Sequence, residues 1–314
     1  MKGIVIVDAY PIPYAGELAS IGAALIWSVT LVVYRLHGQG IPARTMNLIK
    51  NVVAVASLAV TMALWQPAMP AEWSIWVVLM VSGVIGLVIS DTAMFAALPH
   101  LGAQLTSATQ CLAPPLAAVL AWWMLDETLT LQSIAGMAIT MTCVAGVVLV
   151  GRRNQRLDLT QRAGFARGVS YALLSAITQA LGIVLTRQVM DDHFNPGPKP
   201  HVLAVALIRY LPSLVILVVL NRLQREPGLA KLVPTPRRFG YLIAAAFAGS
   251  FVGFLLYTAG TLWAKAGVSA TLSSTYPIWI IPLAVFVLGE PVSKGQILCT
   301  LGALAGIVLL SVQG

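Results

Sequence analysis

Lys50, Asp91 and Arg209 are the charged residues that fall inside the long apolar stretches of this chain. An ion held in hydrocarbon costs about 2.5–3.5 kcal/mol on insertion scales, so each needs a partner, water or a function. Counted from the span ends, Lys50 and Asp91 lie roughly 8–10 Å deep from the same face, at 1.5 Å rise per residue. An ammonium and a carboxylate at one depth can pair, which lowers the cost of burying each. Such a pair can be a fixed brace between two helices. It can also respond to a proton or solute, because burial and a nearby cation act on the carboxyl in opposite senses.

Arg209 has no acid at the position matching Asp91; the corresponding region reads Leu256-Tyr257-Thr258. It can snorkel to the interface. Otherwise its fork is suited to a carboxylate or phosphate of a solute. Tyr210, Tyr257 and Tyr276 can add hydrogen bonds, and Trp27, Gln110 and Gln179 place further polar or aromatic groups within spans. The bland reading of these side chains is helix–helix hydrogen bonding, worth about 0.6 kcal/mol on average. Pro114 and Pro277 interrupt two spans and are candidates for gating or coupling, together with Asp91, because proline frees a backbone carbonyl.

The elements that must position these residues are membrane helices. The chain of 314 residues is 58% hydrophobic and 10% charged, with mean hydropathy +0.86. A soluble domain carries roughly 25% charge, so the bilayer is expected to be the solvent. Apolar spans run about 17–36, 45–65, 74–97, 103–124 and 131–150, then about 168–189, 201–220, 239–262, 267–288 and 295–313. Each is near the ~20 residues that cross the hydrocarbon core.

The two sets resemble each other. Leu48-Ile49-Lys50-Asn51 matches Leu207-Ile208-Arg209-Tyr210, and Val33-Tyr34-Arg35 matches Leu185-Thr186-Arg187. Leu125-Asp126-Glu127 matches Leu288-Gly289-Glu290, and Ala145-Gly146-Val147-Val148-Leu149 matches Ala305-Gly306-Ile307-Val308-Leu309. Five spans is an odd number, so a second copy must enter the membrane upside down, the plan of many secondary transporters. The expected fold is an all-α integral membrane protein of ten transmembrane helices in two inverted five-helix repeats. Its parts are a short N-terminal segment (1–15), a first repeat (16–150), a basic linker (151–164) and a second repeat (165–314).

This pattern resembles the EamA transporters of the drug/metabolite transporter superfamily. The resemblance rests on Lys50 and Arg209, on Ser90-Asp91-Thr92 with Leu98-Pro99-His100-Leu101-Gly102-Ala103, on Pro114 and Pro277, and on Glu127 and Glu290. It implies secondary transport of small metabolites, such as amino acids or related solutes, with export favoured, by alternating access in the inner cell membrane. The expected partners are a small-molecule substrate and the lipid bilayer, with a proton or other ion as coupling partner and a monomer or homodimer as the assembly.

Charge distribution bears on orientation. With the N-terminus outside, thirteen Lys and Arg fall in cytoplasmic loops and four outside, which the positive-inside rule favours. The family resemblance implies the reverse, with both termini often cytoplasmic. Other chemistries find little support. The net charge of +8 sits in arginine-rich loops between spans, which are topology signals rather than a nucleic-acid surface. Cys111, Cys143 and Cys299 lie in apolar spans and suggest neither disulfides nor a metal cluster. Asp191-Asp192-His193 with His201 reads as a solvated loop. Gly38-x-Gly40-x-x-Ala43 follows no strand and is no dinucleotide fingerprint. No Walker A sequence and no Ser/His/Asp cluster appear, so neither an enzyme nor a cofactor is expected. The rival readings are an integral membrane enzyme or lipid-handling protein, and a non-transporting subunit.

Overall fold

A computed structural model describes residues 14–126, 128–154, 159–190, 194–224, 235–264 and 266–311. The described residues are helical, with no strand among them. The first repeat contains α1 (Ala15–His37), α2 (Ala43–Trp65), α3 (Trp73–Gly83), a π-helical turn π1 (Val84–Ile89), α4 (Ser90–Gln110), α5 (Ala113–Met124) and α6 (Leu131–Asn154). The second contains α7 (Leu159–Gln188), α8 (Val202–Leu223), α9 (Pro236–Phe247), a second π turn π2 (Ala248–Val252), α10 (Gly253–Trp263), α11 (Ala266–Ser273), α12 (Tyr276–Phe286) and α13 (Lys294–Ser311).

Eight helices are long and apolar enough to cross a membrane among the described residues. The third and fourth expected spans meet at Gly102. The apolar stretch Trp73–Gln110 is 38 residues long and is interrupted at Gly102, whose φ of 79° and ψ of 174° no helix adopts, so that one helix ends and another begins there. The fourth and ninth spans are also broken rather than continuous. Residues Cys111–Leu112 separate α4 from α5, and Ser274–Thr275 separate α11 from α12. Pro114 and Pro277 therefore occupy the first turns of α5 and α12. There a missing N–H costs nothing, because that donor has no intrahelical acceptor. The prolines start helices; they do not kink them from within. In its described parts the basic segment 151–164 continues α6 and begins α7. Residues 1–13, Glu127 and Asp191-Asp192-His193 lie outside the described residues.

Helices from the two halves pack in antiparallel pairs. Trp27 meets Gly249 and Ser20 meets Gly260, which aligns α1 with π2 and α10. Ser82 bonds Thr186 at 2.9 Å and Ser90 donates to the Ser175 carbonyl at 2.9 Å, which aligns α3 and α4 with α7. Thr45 donates to Asn221 Oδ1 at 2.8 Å while Lys50 lies over Tyr210, which sets α2 against α8. Gln132 donates to the Leu309 carbonyl at 3.1 Å and Thr140 to that of Ala303 at 3.2 Å, which sets α6 against α13.

Small residues permit these approaches. Gly86 lies on Gly182, Gly136 on Gly306, and the Cys143 and Cys299 side chains fill the spaces over Gly302 and Gly146. Gly249 and Gly253 accommodate Thr30 and Trp27. Both small-xxx-small motifs, Gly249/Gly253 and Gly302/Gly306, thus serve packing within the chain.

Candidate functional site

Lys50 on α2 and Asp91 on α4 form an ion pair, with side-chain exposures of 13% and 14%. Asp91 stands one residue after the N-terminus of α4, immediately beyond π1. Lys50 Nζ also lies 5.9 Å from the centroid of the Tyr210 ring on α8, within cation–π reach. The pair thus joins two helices of the first half to one of the second.

Arg209 precedes Tyr210 on α8, so its guanidinium leaves that helix on a different face. Its terminal nitrogen lies against Gly86 in π1, where a Cβ would come within 3.1 Å of it. Gly86 therefore makes room for the guanidinium. Asp91, Tyr210 and Tyr257 are within electrostatic reach, but Nε of Arg209 is buried without a hydrogen-bond partner. Tyr257 in turn packs on Trp27, with ring centroids 5.7 Å apart. Sequence positions 27, 50, 91, 209, 210 and 257 thus converge on one region at the interface of the halves.

The π turns set the local backbone chemistry. A π turn shifts the hydrogen-bond register and offers carbonyls to side chains. Asn47 Nδ2 donates to the Leu87 carbonyl at 2.7 Å and to Thr92 Oγ1 at 3.0 Å. Trp27 Nε1 donates to the Gly249 carbonyl of π2 at 3.0 Å. Each π turn is therefore clamped by a donor from another helix.

Gln110 and Gln179 belong to a neighbouring polar cluster. Gln110 Nε2 donates to Ser175 Oγ at 2.8 Å, and Ser90 Oγ contacts Gln179 Oε1 at 3.3 Å. These contacts bind α4 to α7 just beside Asp91. Tyr276 has its own partners: its hydroxyl donates to the Ser107 carbonyl at 3.4 Å, and its own carbonyl accepts from Ser28 at 2.9 Å. His201 caps α8, with Nδ1 accepting from the Leu203 N–H at 3.2 Å.

Several polar residues of the site escaped sequence reading. Asn47 and Asn51 share with Lys50 the i, i+3 and i+4 spacing of one helix surface, which was a legible signal. Tyr34 is buried against Phe95, ring centroids 5.0 Å apart, with its hydroxyl unpartnered. At one end of the bundle, Arg35 Nε donates to Glu290 Oε1 at 3.1 Å. The Ala103 N–H donates to the same carboxylate at 3.2 and 3.0 Å. Beside this clamp lies a cavity of about 240 Å³ lined by Arg35, His100, Gln104, Glu290 and Gln296.

An all-helical apolar chain with buried ions at the seam of two similar halves has the form of a multi-pass membrane transporter. The EamA-like transporter family matches residues 14–151 and 166–312, one repeat each, and the chain belongs to that family. Protein PecM of Dickeya dadantii (strain 3937) is 32% identical over 125 residues, and the match spans 40% of this chain and 38% of that protein. A solved crystal structure of a protein superposes with a TM-score of 0.65 over 94% of this chain and 95% of that chain, at 18% identity. At that identity the likeness speaks to the fold alone.

Proposed function

We propose that this chain is a secondary transporter of a small anionic or zwitterionic metabolite, of the amino-acid type, working as an exporter in the inner cell membrane. It crosses the bilayer ten times, as two inverted repeats that rock about a central site. The contact pattern supports inversion. Exchanging the halves turns the α1 contacts with α9, π2 and α10 into the α7 contacts with α3, π1 and α4, and returns the α2–α8 and α6–α13 pairs to themselves. The bend at Gly102 supports a boundary between the third and fourth crossings.

The observation that carries the substrate reading is Arg209. Its Nε is a buried donor with no acceptor, next to a lysine that already has its carboxylate. A buried charged donor left unsatisfied costs several kcal/mol, so an anionic group of a solute has a reason to bind there. Lys50–Asp91 is the element through which proton or ion coupling would act.

The test is counterflow of radiolabelled amino acids in proteoliposomes. Arg209→Lys keeps the charge and loses the fork. We expect it to slow transport at unchanged insertion, and Arg209→Gln to slow it further. Equal transport by wild type and Arg209→Lys at every solute concentration would reject the binding role.

A further inference from the structure

We propose that Asn51 is a second solute-binding residue, whose side-chain carbonyl accepts a hydrogen bond from a donor on the same solute that places its anionic group on Arg209. This rests on the reading of Arg209 given above. It adds that the solute is recognised at two poles, an acceptor pole and a donor pole, set by the protein backbone.

Asn51 is fully buried, and its Oδ1 is one of four buried side-chain atoms without a partner among the described residues. The orientation of this amide is not free. Asn47 Nδ2 is committed to the Leu87 carbonyl of π1, so the Asn47 carbonyl oxygen must point the other way. That oxygen accepts Asn51 Nδ2 at 2.8 Å, and the Asn47 backbone carbonyl accepts it at 2.9 Å. Asn51 therefore has its donor used and presents only an acceptor. Turning the amide over would set its oxygen against two other oxygens. The π turn thus fixes the polarity of Asn47, and Asn47 fixes that of Asn51.

Two sets of contacts put this acceptor at the level of Arg209. Asn47 holds Leu87, and the Arg209 guanidinium lies on Gly86, the preceding residue of the same π turn. The antiparallel register of α2 and α8 also sets Lys50 at Tyr210, which brings the neighbours Asn51 and Arg209 to the same level. A buried unpaired acceptor and a buried unpaired donor at one level of a protein interior are complementary to a solute with an anion and an N–H or O–H group. Neither satisfies the other directly, since both lack partners. Desolvating Asn51 Oδ1 costs free energy that only a donor recovers, so a solute lacking one is discriminated against.

The experiment uses the purified full chain in nanodiscs and reads ligand-induced thermal shifts. The probes are the twenty proteinogenic amino acids, and for each that stabilises, the carboxylic acid lacking the ammonium group. We expect at least one amino acid to bind about tenfold to a hundredfold more tightly than its deaminated acid. In Asn51→Leu that ratio should fall to within about twofold. In Asn47→Ala, which removes one of the two oxygens that hold the Asn51 amide, the ratio should fall while Asn51 itself remains, and this variant decides the matter if Asn51→Leu does not fold. An unchanged ratio in the folded variants, equal binding of acid and amino acid by wild type, or no stabilisation by any probe overturns the proposal. If the deaminated acids bind wild type well and Arg209→Lys weakens them, the Arg209 reading stands while the Asn51 role falls. If Arg209→Lys changes neither ligand, the Arg209 reading itself fails.

Discussion

Gly102 and the carboxylate of Glu290 occupy the same small space: a Cβ built on Gly102 would lie 2.6 Å from both carboxylate oxygens. The bend at Gly102 frees the Ala103 N–H at the head of the helix that follows, and Glu290 accepts it while pairing with Arg35. An anion at a helix N-terminus is favoured by the unsatisfied N–H groups there. One carboxylate from the second half thereby ties down α1 and α4 of the first. Gly102→Ala should destabilise the protein by about 1–3 kcal/mol, from backbone strain at positive φ and loss of the clamp. Glu290→Gln should cost less, since the amide still accepts from Ala103. Melting of the purified protein in detergent measures both, and a Gly102→Ala protein as stable as wild type would contradict the packing.

The Lys50–Asp91 pair is open to a charge swap. Removing one partner of a buried pair costs about 3–5 kcal/mol, because the other charge is left unpaired. Lys50→Ala and Asp91→Ala should each lower stability and transport. Lys50→Asp with Asp91→Lys should recover stability. If the swap also recovers transport, the pair is a brace; if transport stays lost in a stable protein, the pair acts in coupling. Full transport by both single variants would remove it from the mechanism.

The α6–α13 pair has almost no room between its backbones. A Cβ on Gly136 would come within 2.6 Å of the Gly306 carbonyl, and one on Gly306 within 2.6 Å of the Gly136 carbonyl. Gly136→Val and Gly306→Val should therefore each destabilise by about 1–3 kcal/mol through overpacking. Gly240→Ala provides the contrast, since nothing lies within 4 Å of its Cβ position. A Gly240→Ala protein should melt no lower than wild type, since alanine is the better helix former, and equal losses at all three positions would show that the small-residue contacts are not the cause.

Orientation is settled by labelling intact cells with a membrane-impermeant maleimide, in a background with Cys111, Cys143 and Cys299 replaced. Pro198 and Arg237 are exposed and flank α8 at opposite ends. The charge distribution predicts that Pro198→Cys labels from outside and Arg237→Cys only after permeabilisation. The opposite pattern would place both termini in the cytoplasm.

What the sequence determined by itself was the solvent and the duplication. Apolar spans of about twenty residues admit helices in a bilayer, because every backbone N–H and C=O must be satisfied within the segment. The matched phrases around Lys50 and Arg209 marked two copies, and counting along the spans put Lys50 and Asp91 at one depth. Depth follows from rise per residue, a local quantity. What only the tertiary structure decided was azimuth and company. Apolar residues surround these helices on every side, facing lipid and neighbours alike, so periodicity could not say which face Arg209 presents or that the Tyr276 hydroxyl meets the Ser107 carbonyl. The π turns, the bend at Gly102 and the helix starts at Pro114 and Pro277 depend on donors and carboxylates from distant segments: Asn47 on Leu87, Trp27 on Gly249, Glu290 on Ala103. Local propensity carries no record of a partner 40, 187 or 222 residues away, and the partner supplies the hydrogen bond that makes the irregular backbone stable.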